Sequence, residues 1–229
     1  MSVHYPQRDI RQRELIPPQK LANIHAIVVG VGAVGRQVAM QLAATGVPAL
    51  TLIDHDRVAV ENLAPQGYWP QDLDLPKVHA TGRVCRCIHP QTELTCDAER
   101  FRRSSARHLE SLRQTGCQLA MFCCVDSIVT RKLIWESAKK QIHFFADGRM
   151  SAEVIRVLAS ARPADDDYYA TTLFGAEQAY AGSCTAKSTL YTASIAAGLM
   201  VGQFARWLRD LPTDRDLTIN LLSAELVAA

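Results

Sequence analysis

The sequence lacks the features that mark several large classes of protein. Its 229 residues contain no apolar run near the roughly 20 residues that span a bilayer. The N-terminal stretch is polar and has no apolar core, so it is not typical of a secretory signal. The formal net charge is only +2, and the charges are spread along the chain. We therefore expect neither a membrane nor a nucleic acid as the main partner.

The cysteine pattern excludes two further classes of protein. The seven cysteines form no C-x-x-C pair, so the usual signature of a structural zinc site is missing. Their number is odd, and two close pairs lie inside apolar stretches, which argues against a disulfide framework. We expect reduced thiols in a cytoplasmic protein. A hydrophobic share of 48% and a length of 229 residues fit one large domain with a sizeable core.

What the sequence does contain is an alternation of apolar strands and helices. The predicted strands cover 24–29, 49–53, 92–96, 119–124 and 142–146. The predicted helices cover 36–45, 76–87, 104–114, 130–140 and 190–208. This alternation predicts an α/β fold with a Rossmann-like, mostly parallel sheet flanked by helices.

The remaining segments depart from this alternation. Residues 1–23 are polar and carry several prolines, so we predict an N-terminal arm followed by a single domain over 24–229. The stretches 150–161 and 217–222 predict C-terminal strands, the first of them antiparallel. Residues 162–189 carry three consecutive aspartates and two glycines, which predicts a long loop.

A glycine-rich turn joins the first predicted strand to the first helix. Gly30, Gly32 and Gly35 form G-x-G-x-x-G, which lets backbone N–H groups approach phosphates at a helix N-terminus. Asp54 ends the second strand, where the ribose-binding acid of a dinucleotide fold would lie. These features predict a nucleotide site without saying which nucleotide. An NAD-dependent Rossmann oxidoreductase and a purely structural glycine turn both stay open at this point.

An ordered series of short motifs lies around and after the glycine loop. In chain order they are Asp54-His55-Asp56-Arg57-Val58, Asn62-Leu63-Ala64-Pro65-Gln66, Lys77, His89-Pro90, Cys124-Val125-Asp126-Ser127 with Arg131, and Asp147-Gly148-Arg149-Met150. The series resembles the E1-like family of ThiF, MoeB and HesA proteins, whose motifs in the same order are D-x-D-x-V, N-L-x-R-Q, a following lysine, N-P, C-x-D-N…R, and a strand ending in a small residue and R-M. The resemblance covers roughly residues 25–200. The ordered series is much more specific than any one motif.

The resemblance implies an activity. In this family, ATP adenylates the C-terminal glycine carboxylate of a small ubiquitin-like or sulfur-carrier protein, and pyrophosphate leaves. ATP and Mg²⁺ would be the cofactors. The residues placed at the nucleotide are Gly30, Gly32, Gly35, Asp54, Asp56, Asn62, Gln66 and Lys77. Lys77 would contact the phosphates as a compact positive charge. Asp126 would ligate Mg²⁺, a hard cation that prefers carboxylate oxygen.

Proline stands where the family's N-L-x-R-Q motif has its arginine. Pro65 therefore removes a cation that normally supports the triphosphate. Arg11 and Arg13 resemble an arginine that precedes the family's first strand and reaches into the partner subunit's site, so we expect them to supply the charge. The resemblance thus implies a homodimer. The alternative is a catalytically degenerate E1-like subunit that only binds a partner.

A cysteine motif lies in the predicted long loop. Cys184, Thr185 and Thr189 resemble the C-T-x-x-x-T around the family's thioester cysteine, which implies that 162–189 is the crossover loop of the active site. A thiolate at Cys184 would attack the acyl adenylate, and an E2-like protein would be a further partner. A small buried cysteine is the alternative.

The sequence also indicates which kind of family member to expect. A tRNA-modifying relative that adenylates a small carbonyl group is a third alternative, which the absence of a basic patch disfavours. The sequence lacks the large cysteine domain and the ubiquitin-fold domain of eukaryotic E1 enzymes. We therefore expect a compact bacterial-type member.

Overall fold

A computed structural model describes residues 7–173 and 189–229 of the chain. The strands are β1 (Ile24–Val29), β2 (Ala49–Ile53), β3 (Glu93–Asp97), β4 (Gln118–Cys123), β5 (Phe144–Ser151), β6 (Val154–Ser160), β7 (Asp216–Asn220) and β8 (Glu225–Ala228). They form one sheet in the order β3-β2-β1-β4-β5-β6-β7-β8. The first five strands in this order are parallel, and the last three run antiparallel. The predicted fold class is confirmed.

Helices cover both faces of the sheet. They are α1 (Pro18–Leu21), α2 (Ala33–Thr45), α3 (Leu63–Gln66), α4 (Lys77–Ile88), α5 (Ser105–Gln114), α6 (Ile128–Ala138), α7 (Pro163–Thr171) and α8 (Leu190–Leu208). One core lies under α2, α4 and α8 and includes Val38, Val78 and Phe204. The other lies under α5, α6 and α7 and includes Leu109 and Trp135. In the part of the chain that the structure describes, no helix has the length and apolar character needed to cross a membrane.

The N-terminal segment is attached to the far end of α2. Gly46 ends this helix in the left-handed region, with φ of +86°. The last carbonyls of a helix have no partner inside it, so other groups must bind them. Arg8 donates to the carbonyl of Ala43 at 3.1 Å, and Gln12 donates to that of Thr45 at 3.3 Å. The segment therefore lies at the end of α2 that is opposite to the glycine loop.

The predicted loop over 162–189 contains a helix at its start. Pro163 opens α7, where a missing N–H costs nothing, and Asp165 and Asp166 lie in the positive first turn. Tyr169 is buried against the sheet. The prediction of a loop is therefore wrong for 163–171: the acidic run favours a helix N-terminus, and burial of Tyr169 against the sheet stabilises the helix. Residues 174–188, with the predicted Cys184, lie outside the described residues.

Two strands also differ from the prediction. β5 does not close at Ala146 but continues to Ser151, because antiparallel pairing with β6 holds Asp147 opposite Leu158 and Arg149 opposite Arg156. Strand β8 was not predicted, since four exposed residues carry too little pattern.

Candidate active site

The site lies where the chain changes direction in the sheet. The chain leaves β1 for β2 on one side, whereas β4 pairs with β1 on the other. In open α/β sheets, ligands bind at such a switch point, outside the carboxyl ends of the strands. The glycine loop follows β1 there, and the loop that carries Asp126 follows β4.

The structure constrains the three glycines of the loop in different ways. A Cβ on Gly30 would lie 2.9 Å from the carbonyl carbon of Cys124, and its φ is +84°. A Cβ on Gly35 would lie 1.8 Å from the carbonyl oxygen of Gly30. A Cβ on Gly32 would meet only the amide of Gln66, at 3.9 Å. Packing thus requires Gly30 and Gly35, whereas Gly32 leaves open space through which a phosphate can approach the backbone.

Asp54 ties the glycine loop to the end of β2. One carboxylate oxygen accepts the N–H of Val31 at 2.6 Å, and the other accepts the N–H of Asp56 at 2.9 Å. A carboxylate offers about four lone-pair positions, so two remain after these bonds. Asp54 can therefore order the loop and still accept hydroxyl groups from a ribose.

Lys77 is the first residue of α4 and is only 6% exposed. Its ammonium lies 3.0 Å from a carboxylate oxygen of Asp56, and its backbone N–H donates to the Asp56 carbonyl at 2.9 Å. A buried ammonium requires a charged partner. His55 contacts the other Asp56 oxygen at 3.2 Å. Lys77 and Asp56 are thus one linked pair.

Asn62 and Gln66 lie in the segment of chain between β2 and α4. The Asn62 side chain accepts the N–H of Ala59 at 3.0 Å and so orders its own turn. Gln66 points its amide at Gly32, and no donor among the described residues reaches its buried Oε1. This unsatisfied acceptor fits a ligand that brings a donor. Pro65 lies in α3 and supplies no charge.

Asp126 is exposed in the loop between β4 and α6. The next residue, Ser127, caps α6 by accepting the N–H of Thr130 at 3.3 Å. Mg²⁺ in nucleotide sites keeps several waters and uses one or two carboxylates. An exposed carboxylate at this edge fits that need. Asp54, His55 and Asp56 also have possible metal-ligand atoms within 4.8 Å of one another. Both aspartates, however, already bind other groups: Asp54 accepts from Val31, and Asp56 accepts from Lys77.

A buried ion cluster lies beside the Asp126 loop, and sequence reasoning did not assign it. Asp147 is fully buried and pairs with Arg131 and with Arg149, the latter at 2.8 Å. Tyr169 donates to it at 3.0 Å. Burial raises the pKa of the Tyr169 hydroxyl, so it stays protonated. Arg131 also donates to the carbonyl of Val125, which fixes the start of the Asp126 loop.

A second buried arginine lies under the glycine loop. Arg36 is only 2% exposed, donates to the hydroxyl of Thr81 at 3.2 Å, and lies 4.3 Å from the ring centre of Tyr68. The half-exposed ring of Trp69 lies 6.0 Å away. The Tyr68 hydroxyl donates to the carbonyl of Val31 at 2.6 Å. The available signal was an arginine directly after the third glycine, on the buried side of α2.

Two predicted residues are not brought to the glycine loop within one chain, and a third falls outside the part that the structure describes. Arg11 and Arg13 are exposed in the segment bound to the C-terminal end of α2. This helix has 13 residues, so it is roughly 20 Å long, and the glycine loop lies at its other end. Cys184 lies outside the described residues.

Comparison with known proteins finds one family match and several similar sequences. It matches the ThiF family over residues 7–226. It is 28% identical over 151 residues to ubiquitin-like modifier-activating enzyme 5 of Drosophila ananassae, covering 62% of this chain and 38% of that protein. It is 29% identical over 118 residues to the sulfur carrier protein ThiS adenylyltransferase of Escherichia coli K12, covering 51% of this chain and 45% of that protein.

A solved structure shows the same fold. The Escherichia coli tRNA N6-threonylcarbamoyladenosine dehydratase in complex with AMP superimposes with a TM-score of 0.70 at 19% identity, over 92% of this chain and 98% of that chain. The matched region spans less than half of each of the two sequence relatives. Because the family match extends over nearly all of its residues, the chain belongs to the ThiF family.

Proposed function

We propose that this chain transfers the adenylyl group of ATP to the C-terminal glycine carboxylate of a small ubiquitin-like or sulfur-carrier protein. The observation that carries the proposal is the linkage of the glycine loop, Asp54 and, through Asp56, the buried Lys77 at the carboxyl ends of β1 and β2. The two relatives, one named for modifier activation and one for ThiS adenylylation, support the substrate class.

The nucleotide would lie along the glycine loop. Backbone N–H groups and the positive end of α2 stabilise phosphates, and the first turn of α2 contains no acidic residue. Asp54 keeps free acceptor positions for the ribose, and Gln66 keeps an unsatisfied acceptor facing Gly32. Lys77 would provide the cation for the phosphates. An NAD-dependent oxidoreductase gives no role to this buried lysine.

The chemical step forms one bond and breaks one bond. A carboxylate oxygen of the carrier attacks the α-phosphorus of ATP, the bond to the β-phosphate oxygen breaks, and pyrophosphate leaves with its electron pair. Asp126 would hold Mg²⁺, which neutralises charge on the phosphates. In a second step proposed for Cys184, its thiolate attacks the acyl carbon and AMP leaves.

Nucleotide titration tests the first part of the proposal. We expect wild type to bind MgATP and not NAD in calorimetric titrations. Lys77→Met removes the phosphate cation and should weaken MgATP binding about ten-fold or more, because hydrogen bonds to charged groups contribute about 1.5–3 kcal/mol. Lys132→Met on α6, an exposed lysine, is the matched control and should bind as wild type does. Preferential NAD binding by the wild type would contradict the proposal.

Pyrophosphate exchange tests the chemistry. We expect labelled pyrophosphate to enter ATP when a carrier is present, with purified ThiS and ubiquitin as the two probes. Pro65 favours the second candidate function, a binding subunit without catalysis. That candidate predicts a carrier complex, with either probe, in which no exchange occurs.

A mixing experiment tests the arginines of the N-terminal segment. The Arg11→Ala/Arg13→Ala chain and the Lys77→Met chain should each be nearly inactive in exchange. If the arginines act on the partner subunit's site, mixed dimers hold one intact site and recover activity. Exchange by the Arg11→Ala/Arg13→Ala chain at the wild-type rate would remove these residues from the proposal.

Trapping tests the cysteine. A carrier adduct that is cleaved by thiols should form on wild type in the presence of MgATP and should be missing from Cys184→Ala. Adduct formation on both proteins would show that Cys184 is not the acceptor.

A further inference from the structure

We propose that Arg36 is a positioning residue for ATP: through Thr81 and Tyr68 it fixes the phosphate-binding face of the glycine loop, and its buried charge favours the phosphates. The inference rests on the nucleotide binding proposed above. It concerns three residues that carry no part of the adenylation chemistry itself.

Three hydrogen bonds run from Arg36 to the glycine loop in one direction. The Arg36 guanidinium donates to the Thr81 hydroxyl oxygen at 3.2 Å. The Tyr68 hydroxyl gives its proton to the carbonyl of Val31 at 2.6 Å, so at its 3.2 Å contact with Thr81 it must accept. Thr81 is then the donor to Tyr68. Each bond in such a chain polarises the next, which strengthens the bond that reaches Val31.

Val31 is therefore held on both sides. Its N–H donates to Asp54 at 2.6 Å, and its carbonyl accepts from Tyr68. Both of its peptide units are fixed before any ligand arrives. A loop that is already ordered does not lose conformational entropy on binding, so its N–H groups bind phosphate more tightly.

No carboxylate within residues 7–173 and 189–229 pairs with the Arg36 guanidinium. Among the described residues its contacts are the Thr81 hydroxyl and the faces of Tyr68 and Trp69, and no acceptor reaches its buried Nε. It also lies in the first turn of α2, where the helix dipole is positive. A cation buried in this way is costly unless an anion comes near. Pro65 removes the family's cation from the same site, and the triphosphate is the anion that would benefit.

The proposal predicts selectivity for phosphate. Removing the Tyr68 hydroxyl leaves the Val31 carbonyl without its donor and loosens the surface that faces the phosphates. Asp54, which would contact the ribose, is also held by the Asp56 N–H, a bond that lies outside this relay. We therefore expect Tyr68→Phe to weaken MgATP binding about ten-fold and to change adenosine binding by less than about two-fold.

The experiment compares calorimetric dissociation constants of MgATP and adenosine for Tyr68→Phe, Thr81→Val, Arg36→Lys and Arg36→Met. Thr81→Val conserves volume and provides a second break in the relay if Tyr68→Phe folds poorly. Arg36→Lys keeps the charge and a donor, so it should retain more MgATP affinity than Arg36→Met. Arg83→Met is the control, because Arg83 contacts Trp69 and Asp72 beside the relay without belonging to it. It should keep the wild-type ratio of the two constants.

The outcomes separate this inference from the function on which it rests. No MgATP binding by wild type would overturn both. Binding by wild type with an unchanged constant in Tyr68→Phe would overturn the inference alone. An equal loss of affinity for MgATP and for adenosine would also overturn the inference alone, because that result means a general loss of structure. Additive effects of Arg36→Met and Tyr68→Phe in a double-mutant cycle would also overturn it, since residues in one relay must couple.

Discussion

Two buried arginine clusters flank the site, one on each face of the sheet. Under the glycine loop, Arg36 donates to the Thr81 hydroxyl and lies over the rings of Tyr68 and Trp69, and no described carboxylate pairs with it. On the other face, Arg131 and Arg149 share the fully buried carboxylate of Asp147. Both clusters fix a loop of the site: the first holds Val31 and the second holds Val125.

The difference between them lies in where the compensating charge comes from. The Asp147 cluster carries its own anion, so its arginines are stabilised whether or not a ligand is present. The Arg36 cluster has no anion among the described residues and lies beside the loop that we propose to bind phosphate. The first should therefore govern the stability of the fold, and the second should govern affinity for the nucleotide. Each of the following experiments tests this division.

The largest effect is expected from Asp147→Asn. The substitution keeps the shape but leaves two buried guanidinium groups without a carboxylate, which costs about 3–5 kcal/mol of unfolding free energy. Urea unfolding followed by circular dichroism measures this cost. Asp216→Asn removes a carboxylate from the more exposed pair with Arg156 and should cost less than about 1 kcal/mol. Equal losses of unfolding free energy in the two variants would show that the Asp147 cluster contributes no more to stability than the more exposed pair does.

Substitutions in the glycine loop, beside the Arg36 cluster, distinguish a glycine that packing requires from a glycine that leaves space for a ligand. Gly35→Ala forces a Cβ onto the Gly30 carbonyl, so we expect a loss of about 1–3 kcal/mol in stability together with weaker MgATP binding. Gly32→Ala meets no close protein atom and should weaken MgATP binding while the melting temperature stays near that of wild type. Unchanged MgATP binding by Gly32→Ala would place the phosphates elsewhere.

A matched pair of threonines compares the clusters directly. Thr81 and Thr172 are both buried, and each hydroxyl accepts a hydrogen bond from an arginine, Arg36 at 3.2 Å and Arg149 at 3.0 Å. Replacing either by valine should lower the unfolding free energy by about 1 kcal/mol. Only Thr81→Val should also weaken MgATP binding. Weaker binding by both variants would mean that the division between the clusters is wrong.

The smallest expected effect is a difference in acid sensitivity. Burial alone would raise the pKa of Asp216, but hydrogen bonds from Arg156 and Tyr168 outweigh it and lower that pKa. A lowered carboxyl pKa stabilises the fold above the unfolded value of about 3.9, and this contribution is lost as the pH falls through the folded pKa. Asp216→Asn should therefore flatten the stability profile below about pH 4. An unchanged profile would exclude this pair as the acid-sensitive one.

The Arg36 relay should not contribute to that acid loss. It consists of a guanidinium and two hydroxyl groups, and burial raises the pKa of Tyr68 above its ordinary value. The Tyr68 hydroxyl therefore stays protonated in acid. Stability profiles of Tyr68→Phe and wild type should therefore stay parallel below about pH 6.

The local signals in the sequence were sufficient for most of the fold. β1, β2 and α8 begin and end where the apolar runs do, and α2 ends at Thr45 as predicted. The failures have a common cause. β5 extends past Asp147 because a partner strand holds it, and α7 forms because the sheet buries Tyr169. Neither partner can be read from the local pattern.

The site shows the same limit. The glycine loop, Asp54 and Lys77 could be predicted because their motifs are short and ordered along the chain. The relay could not, since Arg36, Tyr68 and Thr81 are separated by up to 45 positions and meet only in the folded protein. Whether the individual residues act on a nucleotide stays a prediction that the experiments above decide.

The position of Trp69 has a practical consequence. It is 46% exposed and lies 6.0 Å from the Arg36 guanidinium, whereas Trp135 is buried and Trp207 packs against Phe144 and Phe204. The long-wavelength part of the intrinsic fluorescence should therefore come mainly from the indole beside the relay. A cation near an indole perturbs its emission, so an anion that draws on the Arg36 charge should change the signal. We thus expect Trp69 to act as an optical reporter, with which the proposed nucleotide binding can be tested in rapid mixing without any label.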